Sequence, residues 1–426
     1  MHQKSGLLLA TAAVALLLLL PAAISFAAPE AKGTVTFVFW DYGPDVQKGW
    51  DTTLANFKAA NPAITVDLIG AQGNSWGEYL DKVATMIAGG KKLDTIWVAT
   101  EGIRQLATKG LIRPVDDLIA RDKAELQDYF DDVAPSLIEG TRVDGKLYGF
   151  PYSWNNMVIW YRPSLLKAAG LPMPSATWTR DDFLRYAQKL TKDNVYGFAV
   201  ENAYFGGTIP WIFANGGNLF NANFTRATAD TPEVADAMQF LVDLVHKYKV
   251  SPDPAGVSTF NMFQAGQLAM FGAGRWPILT FSKDPSFKDY DIQLWPRAKI
   301  QLTEYGVDNF PIFTSSRNVE ATWKLVKYMT LKDVQAQMVG TMDKPVGNVP
   351  ARRSLATSPD MASIPSFRVF YSSLQNAKSV PAPPGFNKVE SIWLRYVSQM
   401  TAGEMTVADA LKKAQVELQQ VLDENK

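Results

Sequence analysis

Between residues 34 and 98 the chain alternates strand and helix periods, and this alternation restricts the fold more than any other feature. Residues 34–40 (TVTFVFW) are dense in β-branched and aromatic side chains and read as a strand. Val46, Trp50, Leu54 and Phe57 then recur at helical spacing until Asn61-Pro62 ends the segment. Residues 64–69 alternate as a second strand, and Leu80, Val83 and Ile87 mark a second helix closed by Gly89-Gly90. A short third strand follows at 95–98. Such an order demands an open parallel sheet with right-handed crossovers. Ligands of such sheets sit beyond the carboxyl ends of the strands. Those ends are Trp40-Asp41-Tyr42, the loop 72–76 and Ala99-Thr100-Glu101.

A new segment opens after Gly149-Phe150-Pro151. Thr179 reads as a helix N-cap with Asp182 at the third helical position, ahead of a buried face of Phe183, Ala187 and Leu190. Further helices are expected over 232–247 and near 260–267, with strands at 268–271 and 291–295. After Pro296 the chain returns to a smaller unit with a helix over 320–330. In the helical tail, Thr406 is the cap, Asp409 its partner, and Val407, Ala410, Leu411, Ala414, Leu418 and Val421 keep the period. At 426 residues the chain exceeds one core and implies two domains. No linker or repeat separates them, so the chain is expected to cross between them several times.

Residues 1–27 read as a secretory signal peptide: Lys4, an apolar run at 7–20, then Ser25-Phe26-Ala27 before a cut at Ala28. A signal anchor is the alternative, disfavoured by the short run and by Pro21. The chain has no cysteine, which excludes disulfides, thiolate chemistry and lipid attachment. An exported protein without a membrane anchor fits a bacterial periplasm. Lys plus Arg and Asp plus Glu both number 42, so no global field favours nucleic acid or an anionic membrane. The two histidines, His2 and His246, cannot build a His-rich metal site, although one His leaves a Ser-His-Asp triad open. His246 reads as a surface residue at a helix C-terminus. No cofactor is expected. Aromatic residues are abundant, with 12 Trp, 15 Tyr and 23 Phe; most belong in a core, and stacking on a ligand would employ the surplus.

Several blocks in order carry a resemblance: TVTFVFW, FKAANP (57–62), LDTIWV (93–98), GLIRPVDDLI (110–119), GKLYGFPYSWNNMVIWYR (145–162), AAGLPMPSATWTRDDFL (168–184), FGAGRWPI (271–278), KPVGNVPARRSL (344–355) and AGEMTVADALKKAQ (402–415). The chain resembles the family 1 extracellular solute-binding proteins, receptors of ATP-driven sugar importers of the maltose-binding type. The resemblance implies an α/β, two-lobe periplasmic-binding-protein fold of type II-like topology. It divides the chain into an N-terminal lobe (34–150 and 298–348) and a C-terminal lobe (151–297 and 349–426). Three crossings near 149–152, 294–299 and 346–351 join them around a ligand cleft. It further implies a monomeric, non-catalytic receptor that hands a mono- or oligosaccharide or a polyol to a transmembrane permease. Tyr161-Arg162 departs from the family's usual tyrosine-asparagine pair.

A sugar site must pair hydroxyls and cover C–H faces, tasks for carboxylates, amides and flat aromatic rings. Trp40, Asp41, Tyr42, Asn74, Trp76 and Glu101 meet this need at the strand ends. The resemblance makes Glu101 a hydroxyl acceptor; a solvated helix N-terminal residue is the alternative. Trp76 could instead staple its helix, and Trp40 could lie under the sheet. Beyond the first crossing come Trp154 and Asn155, with a β-turn at 153–156 as the alternative. Tyr204 and Trp211 belong to a glycine-flanked loop. In Gly274-Arg275-Trp276, the resemblance makes Trp276 the stacking tryptophan of the second lobe, and neighbouring glycine allows close backbone approach. Gly306, Asp308 and Asn387 complete the set. Two other readings stay open. One is an anionic guest, a glycerol phosphate or sulfonated sugar held by Arg275, Arg352 and Arg353, although an inter-lobe or surface role suits the arginine pair better. The other is a glycoside hydrolase using Asp41, Glu101 and Asp308.

Overall fold

The segment TVTFVFW forms β1 (Gly33–Trp40), where Val35 and then every residue from Phe37 to Trp40 are buried. Continuous burial marks a strand covered on both faces. In the computed structural model, which describes residues 31–339, 347–359, 361 and 368–425, β1 pairs in parallel with β2 (Ile64–Ala71) and β3 (Thr95–Ile96). Two short strands, β4 (Ile112–Arg113) and β12 (Ile312–Phe313), complete the sheet in the order β2-β1-β3-β12-β4, with β12 antiparallel to both neighbours. Helix Pro44–Ala60 starts with Pro in its first turn, where no donor is lost, and buries Val46, Trp50, Leu54 and Phe57. Helix Trp76–Ala88 is capped by Ser75, whose hydroxyl accepts from the Glu78 N–H. The regular part of β3 is shorter than its sequence suggests, because Val98 makes only an isolated bridge to Asn309. The signal-peptide reading of 1–27 lies outside the described residues.

A second sheet is antiparallel: β8 (Val158–Tyr161) lies between β9 (Met270–Ala273) and β10 (Asp291–Leu294). Helix Arg180–Leu190 beside it carries the expected reciprocal cap between Thr179 and Asp182. Helices Pro232–His246, Thr259–Gln264 and Val319–Met329 fall near the predicted ranges. A small hairpin, β5 (Arg142–Val143) and β6 (Lys146–Leu147), turns through Asp144-Gly145 with both residues at positive φ.

A third sheet joins these two. Its strands are β7 (Ser153–Asn156), β11 (Thr303–Asp308), β13 (Val349–Pro350) and β14 (Ala377–Ser379), in the order β13-β7-β11-β14. Met157 alone separates β7 from β8, so the chain steps directly from this sheet into the second. Three residues, 309–311, separate β11 from β12 in the first sheet. The three segments that pass between the sheets therefore lie side by side, hydrogen-bonded to one another. Arg352, just past β13, is buried and donates to Thr330 O and to the Asp128 carboxylate at 2.8 Å, which ties this segment to the helical layer.

The C-terminal helices Phe386–Thr401 and Val407–Glu424 pack on each other, the second capped by Thr406, which accepts from the Asp409 N–H. The first also packs on helix Trp76–Ala88. There the Gly77 N–H donates to Glu390 Oε2 at 2.9 Å. A Cβ at Gly77 would stand 2.5 Å from that same oxygen, so a larger residue here would have to displace the Glu390 carboxylate.

Candidate functional site

A cleft of about 530 Å³ opens where the three sheets meet. One wall comes from the carboxyl ends of the parallel strands: Trp40 and Tyr42 after β1, Asn74, Ser75 and Trp76 after β2, Ala99 and Glu101 after β3. The joining sheet contributes Asn155 from β7, Gly306 and Asp308 from β11, and Gly347-Asn348 ahead of β13. The opposite wall holds Glu201 through Phe205, Phe260, Trp276, Leu279, Thr280 and Lys283, while Glu390 and Leu394 reach in from helix Phe386–Thr401.

Aromatic rings face the cleft from both sides. Trp40 is sandwiched between Tyr42 (centroids 5.4 Å apart, planes within 4°) and Tyr79 (5.4 Å, 9°), with Trp76 edge-on at 4.4 Å. Tyr42, the outermost ring of this stack, is 50% exposed. Across from it, half-buried Trp276 lies beside Phe205 at 6.1 Å. A Cβ at Gly274 would fall 2.4 Å from the Trp276 ring and 2.7 Å from Asn155 Oδ1. Gly274 thus seats the indole and does not line the cleft itself.

Behind Trp276 runs a hydrogen-bond relay that locks the joining strands. The Arg275 N–H donates to Asn155 Oδ1 at 2.8 Å, and Asn155 Nδ2 donates to Asn348 Oδ1 at 2.7 Å. Asn348 Nδ2 in turn donates to Asp308 Oδ2 at 2.5 Å, an oxygen that also accepts from the Ser153 hydroxyl at 2.6 Å. The Arg275 guanidinium closes the loop by donating to Asn348 O and Val339 O. Asp308 is therefore a clamped acceptor, and the tilt of Trp276 depends on all three joining segments.

The cleft is rich in buried carboxyls. Glu101 is only 1% exposed, and no other residue hydrogen-bonds its side-chain oxygens among the described residues. Burial pushes its pKa up to about 8, against the pull of a hydrogen bond from its own backbone N–H; the negative fields of Asp308 and Glu390 push the same way as burial. Asp308 rises to about 7, again through burial, with Ser153 and Asn348 opposing. Burial raises Glu390 and Glu201 as well. Glu304 lies just behind, accepting from the Gly206 N–H, and is pushed well above the usual carboxylate range. Near neutrality Glu101 and Asp308 can each be protonated or ionised, so either can donate to or accept from a hydroxyl. Among the described residues no group of His, Cys, Asp and Glu could hold a metal ion.

Ten of the sixteen candidate residues line this cleft: Trp40, Tyr42, Asn74, Trp76, Glu101, Asn155, Tyr204, Trp276, Gly306 and Asp308. Six do not. Trp154 precedes Asn155 on a strand, so alternation sends it to the other face, where it is fully buried and donates to Pro350 O. The β-turn alternative at 153–156 is replaced by that strand. Trp211 sits inside helix Ile209–Ala214 amid Phe183, Phe198, Phe240 and Trp295 and is core. Asp41 spends its oxygens on Gly43 N–H and Gln72, closing a turn. Asn387 is turned to Asp81 on the neighbouring helix. Arg275 and Gly274 support Trp276 from behind. Arg275 and Arg352 are committed to backbone and carboxylate partners, Arg353 is exposed, and none of the three is among the described residues that line the cleft. Sequence reasoning missed Phe205, Asn348 and Glu390. Asn348 lies within the KPVGNVPARRSL block, and Glu390 is an acid on the apolar face of its helix between Val389 and Trp393; both were signals.

An α/β, two-lobe fold around a polar, aromatic-walled cleft is that of a solute-binding protein. The profile of the bacterial extracellular solute-binding proteins matches residues 40–336, and the chain belongs to that family. It is 22% identical to a putative binding protein of Brucella abortus, covering 94% of this chain and 96% of that one. The fold is similar to an ABC transporter solute-binding protein from Thermotoga lettingae bound with α-D-tagatose (TM-score 0.79, 23% identity, 91% and 99% of the two chains). It is also similar to an ABC substrate-binding protein from Listeria monocytogenes in complex with cycloalternan (TM-score 0.79, 25% identity, 92% and 99%).

Proposed function

We propose that the protein is the periplasmic substrate-binding component of an ABC importer, taking up a carbohydrate in this cleft and delivering it to a membrane permease. The reading rests on one arrangement: the aromatic stack ending in Tyr42 and the Trp276–Phe205 pair face each other across a band of hydroxyl-pairing groups. Rings cover the C–H faces of a sugar or polyol, and Glu101, Asp308 and Asn74 meet its hydroxyls. We place the N-terminal lobe at 34–150 and 298–348 and the C-terminal lobe at 151–297 and 349–426. Support comes from the first sheet, built from residues 33–113 and 312–313, and from the second, built within 158–294. A guest touching both walls favours a closed arrangement, which the permease reads; only differential affinity for that arrangement shifts the population. The receptor works as a monomer, releases its guest unaltered, and carries a signal peptide over 1–27 that is removed on export.

A thermal-shift screen against mono-, di- and trisaccharides and polyols tests this. A binder at 100 times its dissociation constant adds about 2.7 kcal/mol. Trp276→Ala should abolish most of that response; an undiminished shift removes Trp276 from the site. Sustained product release from aryl glycosides would replace the receptor by a hydrolase.

A further inference from the structure

The cleft has a pronounced imbalance of charge. Glu101, Glu201, Asp308 and Glu390 line it, and Glu304 lies directly behind Gly206. Among the described lining residues the cationic member is Lys283, which is exposed at the rim. Glu101 is the focus. Its two oxygens are buried in the wall with no donor from another described residue, and a Cβ built at Gly306 would stand 3.6 Å from Oε2. At Gly306, where β11 lines the cleft, the backbone lies beside both this carboxylate and the Phe205 ring. The ionisable groups acting on Glu101 are Asp308 and Glu390, while Glu304, Tyr42 and Tyr204 feel its charge in turn; none is a cation.

We propose that the cleft selects a polyhydroxylated guest bearing a protonated amine, an amino sugar or amino polyol, and that the ammonium seats against Glu101. The inference rests on the carbohydrate reading above and narrows it. A neutral guest leaves Glu101 mostly in its protonated form at pH 7, because a hydroxyl brings no counter-charge to the buried carboxylate. An ammonium supplies up to three donors and a unit charge, and charge-assisted bonds are about twice as strong as neutral ones. Asp308 already accepts from Ser153 and Asn348 and has less need of a donor. A metal ion is the other way to neutralise the cluster, yet the described carboxyls do not converge into a coordination site. The ring faces and the cleft volume remain suited to a small polyhydroxylated skeleton.

Titration calorimetry at pH 7 with matched pairs decides the matter: glucitol against 1-amino-1-deoxyglucitol, and glucose and galactose against their 2-amino and 2-acetamido derivatives. The amino member of a binding pair should be tighter by about tenfold or more, a gap of about 1.4 kcal/mol. The acetamido derivative should lose that gain. Binding of the amine should expel a proton from Glu101, seen as a dependence of the measured heat on the ionisation enthalpy of the buffer. Glu101→Gln should bring the two members of the pair together. The proton-release measurement on the wild-type protein stands even if that variant folds poorly. Equal or tighter binding of the neutral members overturns this inference alone, as does an amine preference that survives in Glu101→Gln. Failure of every sugar, polyol and amine to bind overturns the carbohydrate reading together with it.

Discussion

Replacing Glu101 by Gln keeps the side chain's volume and removes its charge, which makes stability against pH a direct test of how the site is built. In the folded protein Glu101 titrates at about 8 against an ordinary value of 4.5, because burial strips its water and Asp308 and Glu390 repel its charge. Between those values the folded state holds a proton that the unfolded chain has released. Stability from this group is thus complete below about pH 4.5 and drains as pH rises to about 8, by about 1.4 kcal/mol per unit. Integrated from pH 6 to pH 9, the loss is on the order of 2–3 kcal/mol. For a chain of about 400 residues this corresponds to roughly 3 °C in Tm. Asp308 drains in the same direction up to about 7, but it is present in both proteins and drops out of the difference. The assay is thermal unfolding of wild type and Glu101→Gln at pH 6 and pH 9 without ligand. The variant should gain roughly 3 °C on the wild type between the two pH values. A gap that stays constant would mean that Glu101 ionises as a solvated carboxylate, and the geometry argued for the cleft would be wrong.

Asn155→Ala removes the centre of the relay, taking away the bonds from the Arg275 N–H and to the Asn348 Oδ1; unfolding should show a loss of about 2–4 kcal/mol. Because Trp276 follows Arg275, ligand affinity should fall as well, and a variant of normal affinity would uncouple the relay from the stacking ring. At Gly77, Ala would normally favour a helix, yet its Cβ would meet Glu390 Oε2 at 2.5 Å. Tm should therefore drop, by an overpacking cost of about 1–3 kcal/mol; an increase in Tm would show that the two helices do not bear on each other.

Short-range chemistry made much of this protein legible in its sequence. Strand and helix periods, the Thr179–Asp182 and Thr406–Asp409 caps, and the Asn61-Pro62 stop are local, so they survive without knowledge of the partners. The strand-end residues Trp40, Tyr42, Asn74, Trp76 and Glu101 were legible for a related reason: in a parallel sheet, chain direction alone says which end of each strand receives the ligand. Tertiary structure decided the rest. Whether Trp154 or Asn155 faces the cleft depends on the pairing of β7 with β11, and alternation by itself offers both faces. Trp211 and Trp276 look alike in sequence, both in segments with glycines nearby; one is enclosed by four aromatic rings and the other is seated half-buried in the cleft wall against Gly274. Glu390 joins the site from 313 residues beyond Gly77, a contact that exists only once the last helices dock. Local free energies choose the elements, but the facing of a side chain and the pKa of a buried acid belong to surroundings that folding assembles.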